Sequence, residues 1–256
     1  MAGVSGIGGS VSNVDMYGTI ASGKRINSAA DDASGLAIAQ KMEKENNGLN
    51  VGASNAEEGI KALNIADGAY SQVTDSLQRI YELSVKASNT FMYGEEERGY
   101  MQQEISSLLE GIGQTADSAS YNEKKLIDGG DDIKIATNPD GTGMNIKKEN
   151  ATLAALGLED YDVTKDFDIG KVKDALKKVT ESRSNLGASS VRLEYAKNYN
   201  DIAAENTMSA KSRLEDLDIG KAVSEKQKKE LLNNYQLMML KKQQEDKHNN
   251  MMGLFN

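Results

Sequence analysis

Between Ser34 and Asn89, apolar or small residues recur at Leu49, Ala53, Ala56, Ile60, Leu63, Ala66, Tyr70, Val73, Leu77, Ile80 and Leu83. Every gap is three or four, close to the 3.5-residue repeat of a coiled coil. No proline interrupts the stretch. As one helix it would be roughly 80 Å long at about 1.5 Å per residue. A rod of that length cannot bury its apolar stripe against itself, so the pattern demands a partner of similar length. One begins at Ile169, where Val172, Val179, Leu186 and Leu193 stand seven residues apart with Leu176 half a heptad along. Ala203, Ala210, Leu214 and Leu217 extend that side, and the polar Asn200 and Thr207 interrupt it. The expected seam therefore sets Leu49, Ile60, Leu63, Val73, Leu77 and Ile80 against Val172, Val179, Leu186 and Leu193.

The remaining segments arrange themselves around this pair. Val11, Val14, Met16 and Ile20 suggest a short amphipathic turn in a glycine-rich start. Residues 22–33 are small and polar, a loop feeding the long helix, with Asp31 or Asp32 placed to cap it. Thr90 to Gly94 breaks the helix, and Glu95, Glu96 and Glu97 then put negative charge where a helix N-terminus favours it. Met101, Ile105, Leu108 and Ile112 mark a second, shorter helix folding back on the first. Ile133–Ile135 and Met144–Lys147 alternate apolar and polar around Asn138-Pro139-Asp140-Gly141-Thr142-Gly143, the pattern of a β-hairpin. Leu156, Leu158, Tyr161, Val163 and Phe167 are expected to pack as irregular chain on the bundle end. After Ile219, Val223, Leu231, Tyr235 and Met238 share a face ahead of a polar run from Lys241 to Asn250.

The expected fold is thus mainly α, a long antiparallel helical bundle or coiled coil formed by both chain ends with a small β-hairpin-containing outer segment. Its expected parts are a terminal unit, partly disordered in the isolated chain, from 1–33 and 218–256; a helical bundle from 34–127 and 169–217; and an outer segment at 128–168.

Composition sharpens the picture. Aromatic residues make up 5% of the chain with no Trp, so burial must come from narrow helical seams rather than a large globular core. Proline occurs once, at Pro139, which suits long helices. The net charge of -9 opposes nucleic-acid binding. The absence of cysteine removes disulfides and thiol chemistry. Met1 to Ser12 lacks the blocks of a cleavable signal peptide, and no apolar run reaches the roughly 20 residues of a membrane span. From Lys221 onward seven Lys face four acids. That excess is either a solvated basic tail or a contact for an acidic neighbour.

Two groups of residues carry a family resemblance. Ser22-Gly23-Lys24-Arg25-Ile26-Asn27-Ser28-Ala29-Ala30-Asp31-Asp32-Ala33 with Gly35–Ala39 resembles the N-terminal signature of bacterial flagellin, as do Ala53–Ile60 and Leu77–Val85. Leu186-Gly187-Ala188, Arg192-Leu193-Glu194, Ala204-Glu205-Asn206 and Arg213–Asp218 resemble the flagellin C-terminal region in order and spacing. The resemblance spans about residues 22–127 and 156–240. It departs from the family pattern in the short, glycine-rich segment before Ser22 and in the charged tail ending at Asn256.

The resemblance implies a structural subunit of the bacterial flagellar filament, polymerising through terminal helices for motility. The short start leaves an alternative open, a minor or junction component that does not polymerise alone. The implied partners are further flagellin copies, an export chaperone, cap and hook-associated proteins, and the flagellin-sensing Toll-like receptor of animals. The implied location is extracellular, reached through the flagellar export channel without a cleaved signal. Receptor contacts by resemblance are Gln78, Arg79, Glu82, Leu83 and Glu110, with Tyr81 standing where the family usually has a second Arg. The alternative for those polar groups is a solvated bundle face or subunit contacts. Val223, Leu231, Tyr235 and Met238 are the expected assembly residues of the terminal unit.

No enzyme is expected, and no metal or cofactor. His248, the one histidine, sits in a polar run, so no His-based dyad or metal cluster can be built. Asp31-Asp32 and Asp216 with Asp218 read as caps and polar contacts rather than a metal site.

Overall fold

The computed structural model describes residues 17–252, with side chains through residue 248. Val11, Val14 and Met16 lie outside the described residues. A short helix α1 covers 17–22. It is followed by α2 (Ala29–Ala87), α3 (Glu95–Ser118), the strand pairs β1 (Ser120–Tyr121) with β2 (Lys124–Lys125) and β3 (Ile133–Ala136) with β4 (Gly143–Ile146), α4 (Leu153–Leu156), α5 (Ile169–Glu215) and α6 (Ile219–Met252). The chain divides into two compact units, Glu45–Glu205 and Met1–Lys44 with Asn206–Asn256.

In the unit Glu45–Glu205, α2 and α5 run antiparallel. Arg183 on α5 grips Asp67 on α2 with Nε and Nη2, at 2.9 and 3.3 Å. The seam between them is dry: Val73, Leu77, Ile80, Val172 and Leu193 have no solvent exposure. α3 adds Ile105, Leu109, Ile112 and Ala116 as the third wall, as its position after the Thr90–Gly94 break requires. Burying a side chain of this size contributes about 1.5–3 kcal/mol, so the heptad residues contribute strongly to closing the bundle.

The segment after α3 folds onto this bundle rather than away from it. Leu158 and Val163 are fully buried in its core, and Gln102 on α3 clamps the irregular chain by donating to the Tyr161 carbonyl at 3.2 Å and accepting from the Val163 N–H at 2.8 Å. The Tyr161 hydroxyl donates to Ser84 on α2 at 2.8 Å, and its ring meets Phe167 edge-on at 6.1 Å.

The β3–β4 hairpin forms at the two alternating runs, pairing Ile133 with Ile146 and Ala136 with Gly143. It lies along α2 because α2 carries a glycine stripe. A Cβ at Gly48 would stand 2.9 Å from the Pro139 Cα, and one at Gly52 would collide with the Thr137 carbonyl. A third at Gly59 would collide with Ile135. Helical glycines each cost about 1 kcal/mol relative to Ala, and here they admit a strand against the helix surface. Asn200, a polar interruption in the heptads, is the hairpin's anchor. Its side-chain amide is buried and donates to the Thr137 carbonyl at 2.7 Å.

In the unit Met1–Lys44 with Asn206–Asn256, Asp32 breaks the helical backbone near the start of α2 (φ −160°, ψ 98°). Its carboxylate accepts from the Gly35 N–H at 2.8 Å, making it the cap of the long helix. Asp31 instead accepts from the Asn27 and Ser28 N–H groups, holding the preceding turn. α6 continues to Met252, through the Lys241–Asn250 run read as a polar tail. Lys, Gln and Glu are strong helix formers, so polarity there does not break the helix.

Candidate assembly and recognition surfaces

The signature loop and the chain's second signature region meet in the terminal unit. Gly23 adopts φ 70°, a left-handed turn suited to glycine, and this brings Lys24 opposite Asp216 in an antiparallel bridge. The Arg25 N–H donates to the Glu215 carbonyl at 2.7 Å, and the Leu217 N–H donates back to the Gly23 carbonyl at 2.9 Å. The Lys24 ammonium lies 2.6 Å from the Glu215 carboxylate, whose side chain is 8% exposed. Lys211 flanks the same carboxylate at 3.7 Å and reaches Glu43 at 3.1 Å. Hydrogen bonding and attraction to Glu215 push the Lys24 ammonium above the ordinary lysine range. Beneath lies Ile26, at the wall of a shallow cavity also lined by Leu36, Ala39 and Gln40. This clasp was not among the residues singled out from sequence; its only signal was that Lys24 and Glu215 fall inside the two signature motifs.

α6 presents a different surface. Leu231, Tyr235 and Met238 are 63–71% exposed, Val223 is half-buried, and Leu232, Leu237, Met239 and Leu240 are exposed as well. Tyr17 covers a small part of the helix, with Lys226 4.1 Å over its ring and its hydroxyl donating to Glu230 at 2.8 Å. A helix with this much uncovered apolar surface calls for a partner.

The seam residues Leu49, Leu63, Val73, Leu77, Ile80, Val172, Val179, Leu186 and Leu193 are all buried within their own chain, with Ile60 packed half-buried beside them. They hold the bundle together internally.

Of the residues matched to receptor contacts, Gln78, Glu82 and Glu110 are exposed and Arg79 is half-buried. Arg79 joins two helices, donating to Glu104 on α3 at 2.6 Å and to Glu82 at 3.1 Å. Glu110 accepts from Gln114 at 3.2 Å. Leu83 stands apart from this set: it is 4% exposed and belongs to the core beneath the polar face. Tyr81, beside this set, carries the Lys173 ammonium 5.7 Å from its ring centroid.

Among the described residues, no three His, Cys, Asp or Glu side chains are grouped to hold a metal ion, and no helix is long and apolar enough to cross a membrane.

Comparison with known proteins gives this geometry a context. Residues 13–132 match the family model for the bacterial flagellin N-terminal helical region, and residues 169–251 match that for the C-terminal helical region. The chain belongs to the bacterial flagellin family. The flagellar filament 33 kDa core protein of Treponema phagedenis is 34% identical over 235 residues, covering 83% of this chain and 82% of the relative. The flagellin of Halalkalibacterium halodurans is 34% identical over 223 residues (84% and 81%), and that of Bacillus subtilis 32% identical over 255 residues (83% of each). The crystal structure of Bacillus cereus flagellin shares the fold, with a TM-score of 0.52 and 22% identity over 57% of this chain and 88% of that one. This flagellin is a structural subunit of the flagellar filament, an extracellular structure. Its family is not known for enzymatic activity.

Proposed function

We propose that this flagellin polymerises with copies of itself through its terminal helices, α6 foremost, and so builds the motility filament. The observation that carries this is the apolar face of α6, where Leu231, Tyr235 and Met238 stand in solvent in the single chain. Covering that face on neighbouring copies recovers about 25 cal/mol per Å² of apolar surface removed from water. Val223 extends the contact, and the bundle seam from Leu49 to Leu193 holds the unit Glu45–Glu205 together. Negative-stain electron microscopy of the purified chain under salting-out conditions is the test. Long filaments are expected; particles that stay monomeric would overturn the reading.

As further partners we propose an export chaperone, the cap and the hook-associated proteins, with export through the flagellar channel. The flagellin-sensing Toll-like receptor of animals would meet the polar face of α2 and α3, through Gln78, Arg79 and Glu82, with Glu110 further along α3. Leu83 would act from below, fixing the helix that presents them. Arg79 is already engaged by Glu104 and Glu82, so a receptor must match those bonds to gain affinity. An immune-reporter assay on folded monomer checks this: a response that Arg79→Ala abolishes is expected, and silence from the unsubstituted chain rejects it.

A further inference from the structure

The apolar face of α6 carries a chemistry that leucine alone would not give it. Met238 and Met239 are 70% and 50% exposed there. Met238 follows Leu231 and Tyr235 on the helix surface, and Met239 follows Leu232 and Tyr235, at spacings of three, four and seven. Both thioethers therefore belong to the row of side chains that assembly is to cover. Leu231, Leu232, Leu237 and Leu240 supply the same apolar character on the same helix without sulfur. Of the other described methionines, Met92 and Met208 are exposed, whereas Met42, Met101 and Met144 are half-buried, the last two against the core. The chain has no cysteine, so no thiol of its own competes for an oxidant.

We propose that Met238 and Met239 form an oxidation site that controls assembly, with a peroxide as the co-reactant. This role rests on the homopolymer reading of α6 above. A lone pair of the thioether sulfur attacks one oxygen of the peroxide, the O–O bond breaks and an S–O bond forms. With hydrogen peroxide the products are one methionine sulfoxide and one water, the sulfur losing two electrons and the peroxide gaining them. The sulfoxide is polar and chiral where the thioether was apolar and adaptable. Its oxygen is hydrated on the free chain. Burying it against a neighbour's apolar side chains strips that water and supplies no donor in return. Oxidation thus leaves the single chain folded and lowers the affinity of the α6 face for a second copy.

Exposure gives the site a direction. On the free chain both sulfurs are open to solvent, and once neighbouring copies cover the face a peroxide no longer reaches them. Free subunits are the sensitive form and assembled ones the protected form. A methionine sulfoxide reductase with a thiol reductant reverses the step.

Brief treatment of the free full-length chain with hydrogen peroxide, read by peptide mass spectrometry, is expected to add one oxygen at Met238 and at Met239 ahead of Met101 and Met144. The oxidised chain is expected to assemble only at a critical concentration raised about tenfold, with unchanged monomer melting, and reductase treatment is expected to restore it. Met238→Leu combined with Met239→Leu conserves volume and helix propensity, and that chain should assemble equally well before and after peroxide. Met92→Leu combined with Met208→Leu should stay as sensitive as the unsubstituted chain. Preformed filaments should keep both sulfurs unmodified. A chain carrying both sulfoxides that assembles at an unchanged critical concentration overturns the proposal. So does equal loss of assembly in the Met238→Leu/Met239→Leu chain, since other methionines are then responsible, and so does equal oxidation of the two residues in filament and free chain. If the untreated chain forms no filaments, the homopolymer reading fails and the assembly role falls with it, while the mass map still shows whether these two sulfurs are the reactive ones.

Discussion

The side-chain amide of Asn200 on α5 donates to the backbone carbonyl of Thr137 at 2.7 Å, with both residues buried, and so ties the hairpin to the helix that Gly52 leaves open for it. A heptad position that reads as a flaw in the seam is the point at which three elements are joined. Replacing Asn200 with Leu would leave the Thr137 carbonyl buried without a donor, at a cost of about 1–3 kcal/mol. Gly52→Ala acts on the same joint by forcing a methyl into that carbonyl and should cost about 1–3 kcal/mol. Urea unfolding of the two single variants and the double variant measures both; coupling between them is expected because they share a partner.

Alkaline pH should loosen the protein, with Tyr70 and Lys24 among the groups responsible. Burial pushes the Tyr70 phenol, which donates to the Glu149 carbonyl at 3.0 Å, up to about 12, and the Glu215 carboxylate pushes the Lys24 ammonium up. A group whose folded value is raised adds stability that is complete below its unfolded value and is lost as pH climbs through the folded one. For Tyr70 that window runs from about 10 to about 12 and involves on the order of 2–3 kcal/mol. Lys24 is half-exposed, so its pair with Glu215 contributes less, within about 1 kcal/mol. Thermal melts between pH 9 and 12 should show the loss, and Tyr70→Phe should reduce it.

Acid acts on a different corner. Asp162 is held down at about 2 by the Thr164 hydroxyl and then by Lys165, so its contribution is present above the ordinary carboxylate range and disappears as pH falls through about 2. Asp162→Asn should flatten the acid limb of the stability profile while leaving the alkaline limb unchanged.

The two-residue turn between β1 and β2 has φ 48° at Asn122 and 65° at Glu123. Both positions are left-handed, the geometry of a tight hairpin turn whose second residue is usually Gly. Glutamate pays roughly 1 kcal/mol to sit there. Glu123→Gly is expected to raise stability by up to about 1 kcal/mol in denaturant titration; a loss would show that the backbone is not strained at this position.

Much of this protein could be read before any coordinates. The alternation of three- and four-residue gaps located α2 and α5, because a helix periodicity is set by local geometry and does not depend on what the helix meets. The hairpin was legible for the same reason: the two-residue alternation of Ile133–Ile135 and Met144–Ile146, flanking a turn-forming run, is a local signal. The signature motifs also placed the chain in its family. What the sequence left undecided were relations between distant positions. Lys24 meets Glu215 across 191 residues of chain, and Asn200 meets Thr137 across 63, pairings that no local pattern encodes. Leu83 falls in a polar motif yet is buried, because rotation of α2 about its axis is settled by what packs against it. Likewise, tyrosines at Tyr195 and Tyr199 could have lined the core or the surface; only the choice of Leu193 and Asn200 as the inward face turned them outward.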